Sequence, residues 1–317
     1  MAAAELEELG YSAIFIPDAG GDVLGVVTEL LAATKHIRFA TGVLNIWMHA
    51  AAEVARRNAE LTARYGSRFL LGLGASHAPL VESVAGVPYA RPYSRMTQFL
   101  DALDAADPPA PAGQRMLAAL GPRMLALAAA RACGAHPYLV PPEHTAAARQ
   151  ALGPGALLAP EQAVVLDPDP RRGRDRARAF VSDYLALPNY VGNLRRLGFT
   201  EGDLRAGGSD RLVDALVACG DEEAIAARVR AHLDAGADHV CIYVFGDGDE
   251  ALPLSAWRRL APALTTLTSA RPTPQPDGFL LLPAGAEGRR YRSTSGLRLT
   301  PFAPSTASGA TTRAPAT

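Results

Sequence analysis

The composition of this 317-residue chain is that of a large globular protein, because apolar residues make up 49% of it. Its 31 Lys and Arg nearly balance its 32 Asp and Glu, giving a formal net charge of −1. This balance argues against a nucleic-acid or membrane-surface partner, and no apolar run reaches the ~20 residues of a membrane span. Cys133, Cys219 and Cys241 are far apart in sequence, and we expect reduced thiols in a cytoplasmic protein.

Strand-like and helix-like segments alternate along the chain. Seven short apolar segments are predicted as strands: Ala13–Pro17, Ile37–Leu44, Arg68–Leu73, Arg115–Leu120, Ala135–Val140, Gln162–Leu166 and His239–Phe245. Helical patterns precede, separate and follow them: Ala2–Leu9, Val23–Thr34, Ala50–Tyr65, Ser94–Asp104, Pro122–Cys133, Glu143–Leu152, Asp175–Leu185, Leu212–Cys219, Glu222–Ala235 and Pro253–Leu267. Short strands separated by helices predict parallel pairing.

The pattern favours a (β/α)₈ TIM-type barrel over an open doubly wound sheet. The turn after the first strand, residues 18–22, lacks the glycine fingerprint that usually marks a dinucleotide-binding sheet. Seven strands are one fewer than a closed barrel needs, and the chain begins on a helix, so we predict a barrel lacking its first strand. A misassigned start, a truncated gene or another element in the gap would each explain this. Unpaired barrel edges would favour a homodimer.

Composition divides the chain into two regions. Residues 1–267 are predicted to form the barrel domain, and residues 268–317 a tail rich in Pro, Ser, Thr and Arg. Apart from the brief apolar run Gly278–Pro283, this tail has too little apolar content for a core, so we predict disorder.

Polar and aromatic residues follow the predicted strands, where a (β/α)₈ barrel has its active site. They are Asp18, Asn45, Trp47, His49, Ser76, His77, Glu143, His144, Asp247 and Asp249. Glu143-His144 does not match a zinc motif, so no metal is predicted. The arrangement indicates a site for a small-molecule substrate.

Six separated segments resemble the signature segments of F420-dependent oxidoreductases in the luciferase-like superfamily. They occur in the expected order: Thr41–Trp47, Arg68–His77, Ala118–Leu125, Leu187–Tyr190 with Arg195–Phe199, Gly208–Asp214 and Ala235–Val240. The resemblance runs from about residue 2 to about residue 265. It implies an enzyme that uses coenzyme F420, with FMN as the alternative. Lys35 is the only lysine among the 31 basic residues, which indicates the codon bias of a GC-rich bacterial genome.

The resemblance implies a set of cofactor-binding residues. Asp18 would face the coenzyme ring, and Gly42 and Val43 would be joined by a non-proline cis peptide behind it. The ring would pass close to Gly74 at the end of the third predicted strand, because glycine permits close approach of the backbone. The helix start at Gly121 would bind phosphate, because free N–H groups and the helix dipole attract anions there. The full set is Asp18, Gly42, Val43, Gly74, Ala75, Ser76, Ala119, Gly121 and Arg123.

The resemblance also implies catalytic and substrate-binding residues. His77 would orient the substrate or donate a proton, since histidine titrates near neutrality. Trp47, Tyr93, Asn189 and Tyr190 would contact substrate, although packing roles are the competing interpretation for each aromatic side chain. His49 and Ala51 stand where many relatives have arginine and proline, which puts substrate or phosphate contacts there in doubt.

Three hypotheses for function follow. The first is hydride transfer between C5 of F420 and a small organic substrate. The second is an FMN-dependent monooxygenase that uses O₂. The third is an inactive or binding-only remnant of the barrel.

Overall fold

The computed structural model describes residues 2–245 and 251–267, together with the backbone of Phe279–Leu281. Helices and strands alternate through most of the described chain. The helices are α1 Ala2–Glu8, α2 Val23–Ala32, α3 Ala51–Tyr65, α4 Ala78–Leu80, α5 Pro92–Asp104, α6 Pro122–Arg131, α7 Pro142–Leu152, α8 Pro170–Leu185, α9 Pro188–Arg196, α10 Asp210–Leu216, α11 Glu222–Asp234 and α12 Leu254–Leu264. The strands are β1 Ala13–Ile16, β2 Arg38–Thr41, β3 Leu44–Asn45, β4 Phe69–Gly74, β5 Arg115–Leu117, β6 Gly134–Ala135, β7 Leu157–Leu158, β8 Glu161–Leu166, β9 Val217–Gly220, β10 Cys241–Val244 and β11 Phe279–Leu281.

The strands form one parallel sheet that curls into a barrel. Pairing runs from β1 through β2, β4, β5 and β6 to β7. Only Ala159 and Pro160 separate β7 from β8, so the two strands form one nearly continuous stretch of chain. Its first part, β7, pairs with β6, and its second part, β8, pairs with β10 and β9. The predicted TIM-type α/β fold is confirmed.

Strand β11 lies at the position where the sequence pattern lacks a strand. It pairs in parallel with β10 on one side and with β1 on the other, and Phe279 is in register with both Cys241 and Ala13. Of the three explanations for the missing strand, the pairings favour another element in the gap. This strand falls within the range predicted as a tail, and the domain boundary after Leu267 stays a prediction.

The strands bury both faces, as parallel strands between a barrel interior and a helical layer must. On β10, Cys241 and Tyr243 belong to the interior cluster with Phe15, whereas Ile242 and Val244 pack with the outer helices. Within the described residues, no helix is long and apolar enough to cross a membrane.

Two predicted elements differ from the observed ones. Residues 212–219 were predicted as one helix, but α10 ends at Leu216 and Val217–Gly220 is a strand. Pairing with β8 overrides the helical spacing there. The predicted strand Ala135–Val140 is only Gly134–Ala135, and the chain leaves the ladder before Leu139, whose φ is +52°.

Candidate active site

A buried carboxylate lies at the rim of the barrel, two residues after β1. Asp18 Oδ2 accepts hydrogen bonds from the backbone N–H of Asn45 at 2.9 Å and from His49 Nε2 at 2.8 Å, and Oδ1 accepts from Gly20 N–H at 3.2 Å. The Asp18 side chain is fully buried, whereas His49 keeps 20% of its exposure. His49, at the place where many relatives have arginine, therefore holds this carboxylate from the solvent side.

Trp47 connects this carboxylate to the end of β4. The Asn45 side-chain oxygen accepts from Trp47 N–H at 3.1 Å, and Trp47 Nε1 donates to the Ala75 carbonyl at 2.8 Å. Tyr89, which the sequence analysis did not single out, packs beside the Trp47 indole with ring centroids 5.5 Å apart. Its hydroxyl donates to the Ser76 carbonyl at 3.0 Å. These contacts bring together three predicted site regions: Asp18, Trp47 and the segment after β4.

The end of β4 requires residues without side chains. A Cβ on Gly72 would lie 1.9 Å from the Thr41 carbonyl oxygen, and one on Gly74 would lie 2.3 Å from Val43 Cγ2. The Gly42–Val43 peptide is cis, which confirms the expectation taken from the resemblance. Ser76 has a φ of +55°, a left-handed conformation that is uncommon outside glycine.

The start of α6 has the features of an anion site. Pro122 occupies the first turn, and no side chain caps the helix. His144, buried, donates from Nε2 to the Leu120 carbonyl at 2.8 Å and so fixes the preceding turn. Arg196 Nη2 lies 3.4 Å from the position a Cβ on Gly121 would take. The predicted residue Arg123 stacks over Tyr93 at 4.3 Å.

This anion site adjoins the strand that carries the glycines. Ala118 donates its N–H to the Leu73 carbonyl at 2.8 Å, and its Cβ lies 3.5 Å from the position a Cβ on Gly74 would take. Ala119 follows and is buried. The end of β4 and the start of α6 are therefore adjacent at the barrel rim.

His77 lies directly before α4 and faces Tyr190, with ring centroids 6.3 Å apart. Burial of the imidazole lowers the pKa of His77 below its ordinary value. The ring is therefore neutral at pH 7, with one nitrogen able to donate and the other to accept. Asn189, predicted beside Tyr190, is exposed, whereas Tyr190 is buried.

An aromatic cluster extends from Tyr190 toward the barrel interior. The ring centroid of Tyr190 lies 4.9 Å from that of Tyr184 and 6.3 Å from that of Tyr138. The hydroxyl oxygens of Tyr138 and Tyr184 are hydrogen-bonded at 2.8 Å. We call Tyr138, Tyr184, Tyr190, Tyr243, Phe180 and Phe245 the aromatic cluster. The sequence analysis found only Tyr190, because the others lie on α8, at β10 and in the loop after β6, which are far apart in the sequence.

Two polar residues inside the barrel also escaped the sequence analysis. Glu161 is 1% exposed, and neither carboxyl oxygen has a hydrogen-bond partner among the described residues. Burial raises the pKa of the Glu161 carboxyl well above its ordinary value. His136 stacks on Phe15 at 4.8 Å, and burial lowers the pKa of this imidazole to about 4. The available signal was a glutamate directly before the predicted strand Gln162–Leu166.

Comparison with known families decides the relationship. Residues 2–239 match the profile of a family described as luciferase-like monooxygenase. The chain belongs to the luciferase-like monooxygenase family. This confirms the superfamily inferred from the sequence and makes the chain a member of an oxidoreductase family. Comparison with curated protein sequences gave no match.

Solved structures with both types of coenzyme share the fold. An F420-dependent secondary alcohol dehydrogenase in complex with an F420-acetone adduct has a TM-score of 0.62 and 16% identity, over 83% of this chain and 93% of that one. Coenzyme F420-dependent tetrahydromethanopterin reductase from Methanopyrus kandleri has a TM-score of 0.61 and 15% identity, over 82% and 92%. The oxygenating constituent of 3,6-diketocamphane monooxygenase from Pseudomonas putida, in complex with FMN, has a TM-score of 0.62 and 12% identity, over 87% and 93%.

Proposed function

We propose that this protein is an F420-dependent oxidoreductase that transfers a hydride between C5 of the deazaflavin and a small organic substrate. The observation that carries the proposal is that the uncapped start of α6 lies directly beside the end of β4 at the barrel rim. A flat ring would lie against the segment that follows β4, and a phosphate fits an uncapped helix N-terminus beside Arg196.

The residues at the rim would bind and orient the coenzyme. Gly74, Ala75 and Ser76 would lie along the ring, and Gly121 with Arg123 or Arg196 would hold the phosphate. When bound, the coenzyme supplies the hydride chemistry. The buried Asp18 carboxylate, held by His49 and the Asn45 N–H, would place a fixed negative charge beside the ring.

His77 is the candidate for proton transfer to or from the substrate. Its imidazole is half-buried and neutral, so it can donate from one nitrogen or accept at the other. Tyr190, which faces His77, and Trp47, which donates to the Ala75 carbonyl, are candidate substrate contacts. The aromatic cluster behind Tyr190 would keep water from the reacting atoms.

An FMN-dependent monooxygenase is the second candidate. It is supported by the name of the family and by an FMN-bound structure with the same TM-score, 0.62, as the F420-dependent alcohol dehydrogenase. Phosphate binding at α6 serves either coenzyme. The two candidates differ in a measurable way, because reduced FMN in such an enzyme consumes O₂ whereas hydride transfer from F420 does not require it.

The test is a parallel titration of the full chain with F420 and FMN, followed through coenzyme fluorescence. Saturable binding of F420 alone is the expected result. Binding of FMN alone, with substrate-dependent O₂ uptake, would replace the first candidate by the second. Binding of neither coenzyme by a chain folded by circular dichroism would contradict both and support an inactive or binding-only barrel.

Two adjacent arginines give a matched pair of variants for the phosphate site. Both side chains are exposed, but Arg196 lies beside Gly121, whereas Arg195 pairs with Glu201 at 2.7 Å. Arg196→Gln should weaken coenzyme binding about tenfold, the loss expected for one charge-assisted hydrogen bond. Arg195→Gln should leave the dissociation constant unchanged, and equal effects of the two variants would remove α6 from the site.

A further inference from the structure

Glu161 and Gln162 are adjacent buried polar residues on β8 with opposite surroundings. Gln162 is fully satisfied: its side-chain nitrogen donates to the Leu216 carbonyl at 3.0 Å, and its oxygen accepts from His232 Nε2 at 3.0 Å. Glu161 points to the other face of the strand, and both of its oxygens lack partners in the described part of the chain. Only the residue facing the barrel interior is left unsatisfied.

Among the described residues, the side chains around Glu161 are aromatic or uncharged. The titratable groups of this part of the chain that interact with its charge are Tyr138, Tyr184, Tyr190, Tyr243 and Cys241. A carboxylate buried without a cation is costly, so this carboxyl is held in its protonated form. A protonated carboxyl offers one O–H donor and further acceptor capacity.

The aromatic cluster connects this carboxyl to the candidate active site. Tyr190 contacts both His77 and the tyrosine pair Tyr138–Tyr184. Tyr138 and Tyr184 are half-buried, whereas Glu161 is 1% exposed. A ligand that enters beside His77 and packs along these rings therefore has Glu161 as the polar group at its inner end.

We propose that Glu161 and the aromatic cluster form an inner subsite that takes the neutral oxygen-bearing end of a substrate, a hydroxyl or carbonyl group on an apolar ring or chain. This inference rests on the proposed function, for which it names the substrate class. A hydroxyl or carbonyl satisfies the Glu161 carboxyl without introducing charge. A carboxylate ligand would be buried without a cation, and an aliphatic ligand would leave the carboxyl unpaired.

Five probes that share a six-membered ring test this inference without any coenzyme. They are cyclohexanol, cyclohexanone, methylcyclohexane, cyclohexanecarboxylate and cyclohexylamine, each titrated against the full chain and followed by the melting temperature. Cyclohexanol and cyclohexanone should bind about fivefold tighter than methylcyclohexane, the gain expected for one hydrogen bond, and the carboxylate weakest. Absence of this preference, or tightest binding of cyclohexylamine, would overturn the inference.

Three variants on the same strand test the role of Glu161, with Gln162→Leu and Glu161→Gln as controls. Glu161→Leu should raise the melting temperature of the ligand-free chain by about 2–4 °C and abolish the preference for oxygen-bearing probes. Gln162→Leu should lower the melting temperature, because it leaves His232 and the Leu216 carbonyl unpaired, and should keep the preference. Glu161→Gln, which still donates and accepts, should keep the preference as well. A Glu161→Leu chain that unfolds or retains the preference counts against the subsite.

The outcome separates this inference from the proposed function. A chain that binds F420 but shows no preference among the ring probes refutes the subsite alone. A chain that shows the preference, lost in Glu161→Leu, but binds no F420 refutes the coenzyme and leaves the barrel as a binding site for neutral oxygen-bearing ligands.

Discussion

Asp18 and Glu161 are both buried carboxyl groups of the barrel, but they differ in their hydrogen-bond partners. Asp18 accepts three hydrogen bonds, from Asn45, His49 and Gly20, which compensate the loss of water. Glu161 accepts none from the described residues. The same functional group is therefore an acceptor at the rim and a donor in the interior.

The raised pKa of Glu161 predicts a pH dependence of stability. In the unfolded chain this carboxyl loses its proton above about pH 4.3, whereas the folded chain keeps it, so the folded state loses stability as pH rises toward the raised folded pKa. Glu161→Gln removes this loss. The stability gained by the variant should therefore be larger at pH 8 than at pH 5, measured as the urea midpoint.

A matched variant controls for general effects of removing an acid. Glu201→Gln changes an exposed glutamate whose pKa Arg195 lowers through a side-chain hydrogen bond. It should show no gain in stability that grows with pH. If Glu161→Gln behaves in the same way as Glu201→Gln, Glu161 is ionised in the folded protein.

At the scale of single elements, β4 is constrained more tightly than its neighbours. Its two glycines approach Thr41 and Val43 so closely that neither site accommodates a Cβ without movement. Gly74→Ala should weaken coenzyme binding at least tenfold while the far-ultraviolet circular dichroism remains unchanged, because only the Val43 side chain must move. Gly113→Ala, at an exposed site with open space, should leave binding unchanged. Unchanged coenzyme affinity in Gly74→Ala would mean that the end of β4 does not contact the coenzyme.

The same elements show what the sequence could predict. Continuous apolar runs such as residues 68–73 predicted strands, and the glycines at the end of β4 permit the close approach to Thr41 and Val43. The helical spacing of residues 212–219 gave the wrong element, since pairing with β8 decides the conformation of Val217–Gly220. The site was predicted where it follows strand ends, as at Asp18 and Trp47. The aromatic cluster was not, because its members meet only after the chain has folded.

At the scale of the whole molecule, the barrel depends on β11. This strand pairs with β1 and β10, so removing it would leave both as unpaired edges. In a chain ending after Asp277, the free energy of unfolding should be about 2–4 kcal/mol lower than in the full chain, because strand pairing is lost. This chain should also bind coenzyme poorly. A chain ending after Glu287 keeps β11 and is the control. Equal urea midpoints for the two would show that the barrel does not need β11.

The position of β11 has a consequence for the order of events during synthesis. β1 is translated long before its second partner β11, which is made roughly 13–50 s later at a rate of 5–20 residues per second. In that interval the nascent chain carries an open strand edge that another chain can pair with. Slow, dilute expression and early chaperone binding should therefore increase the yield of this protein.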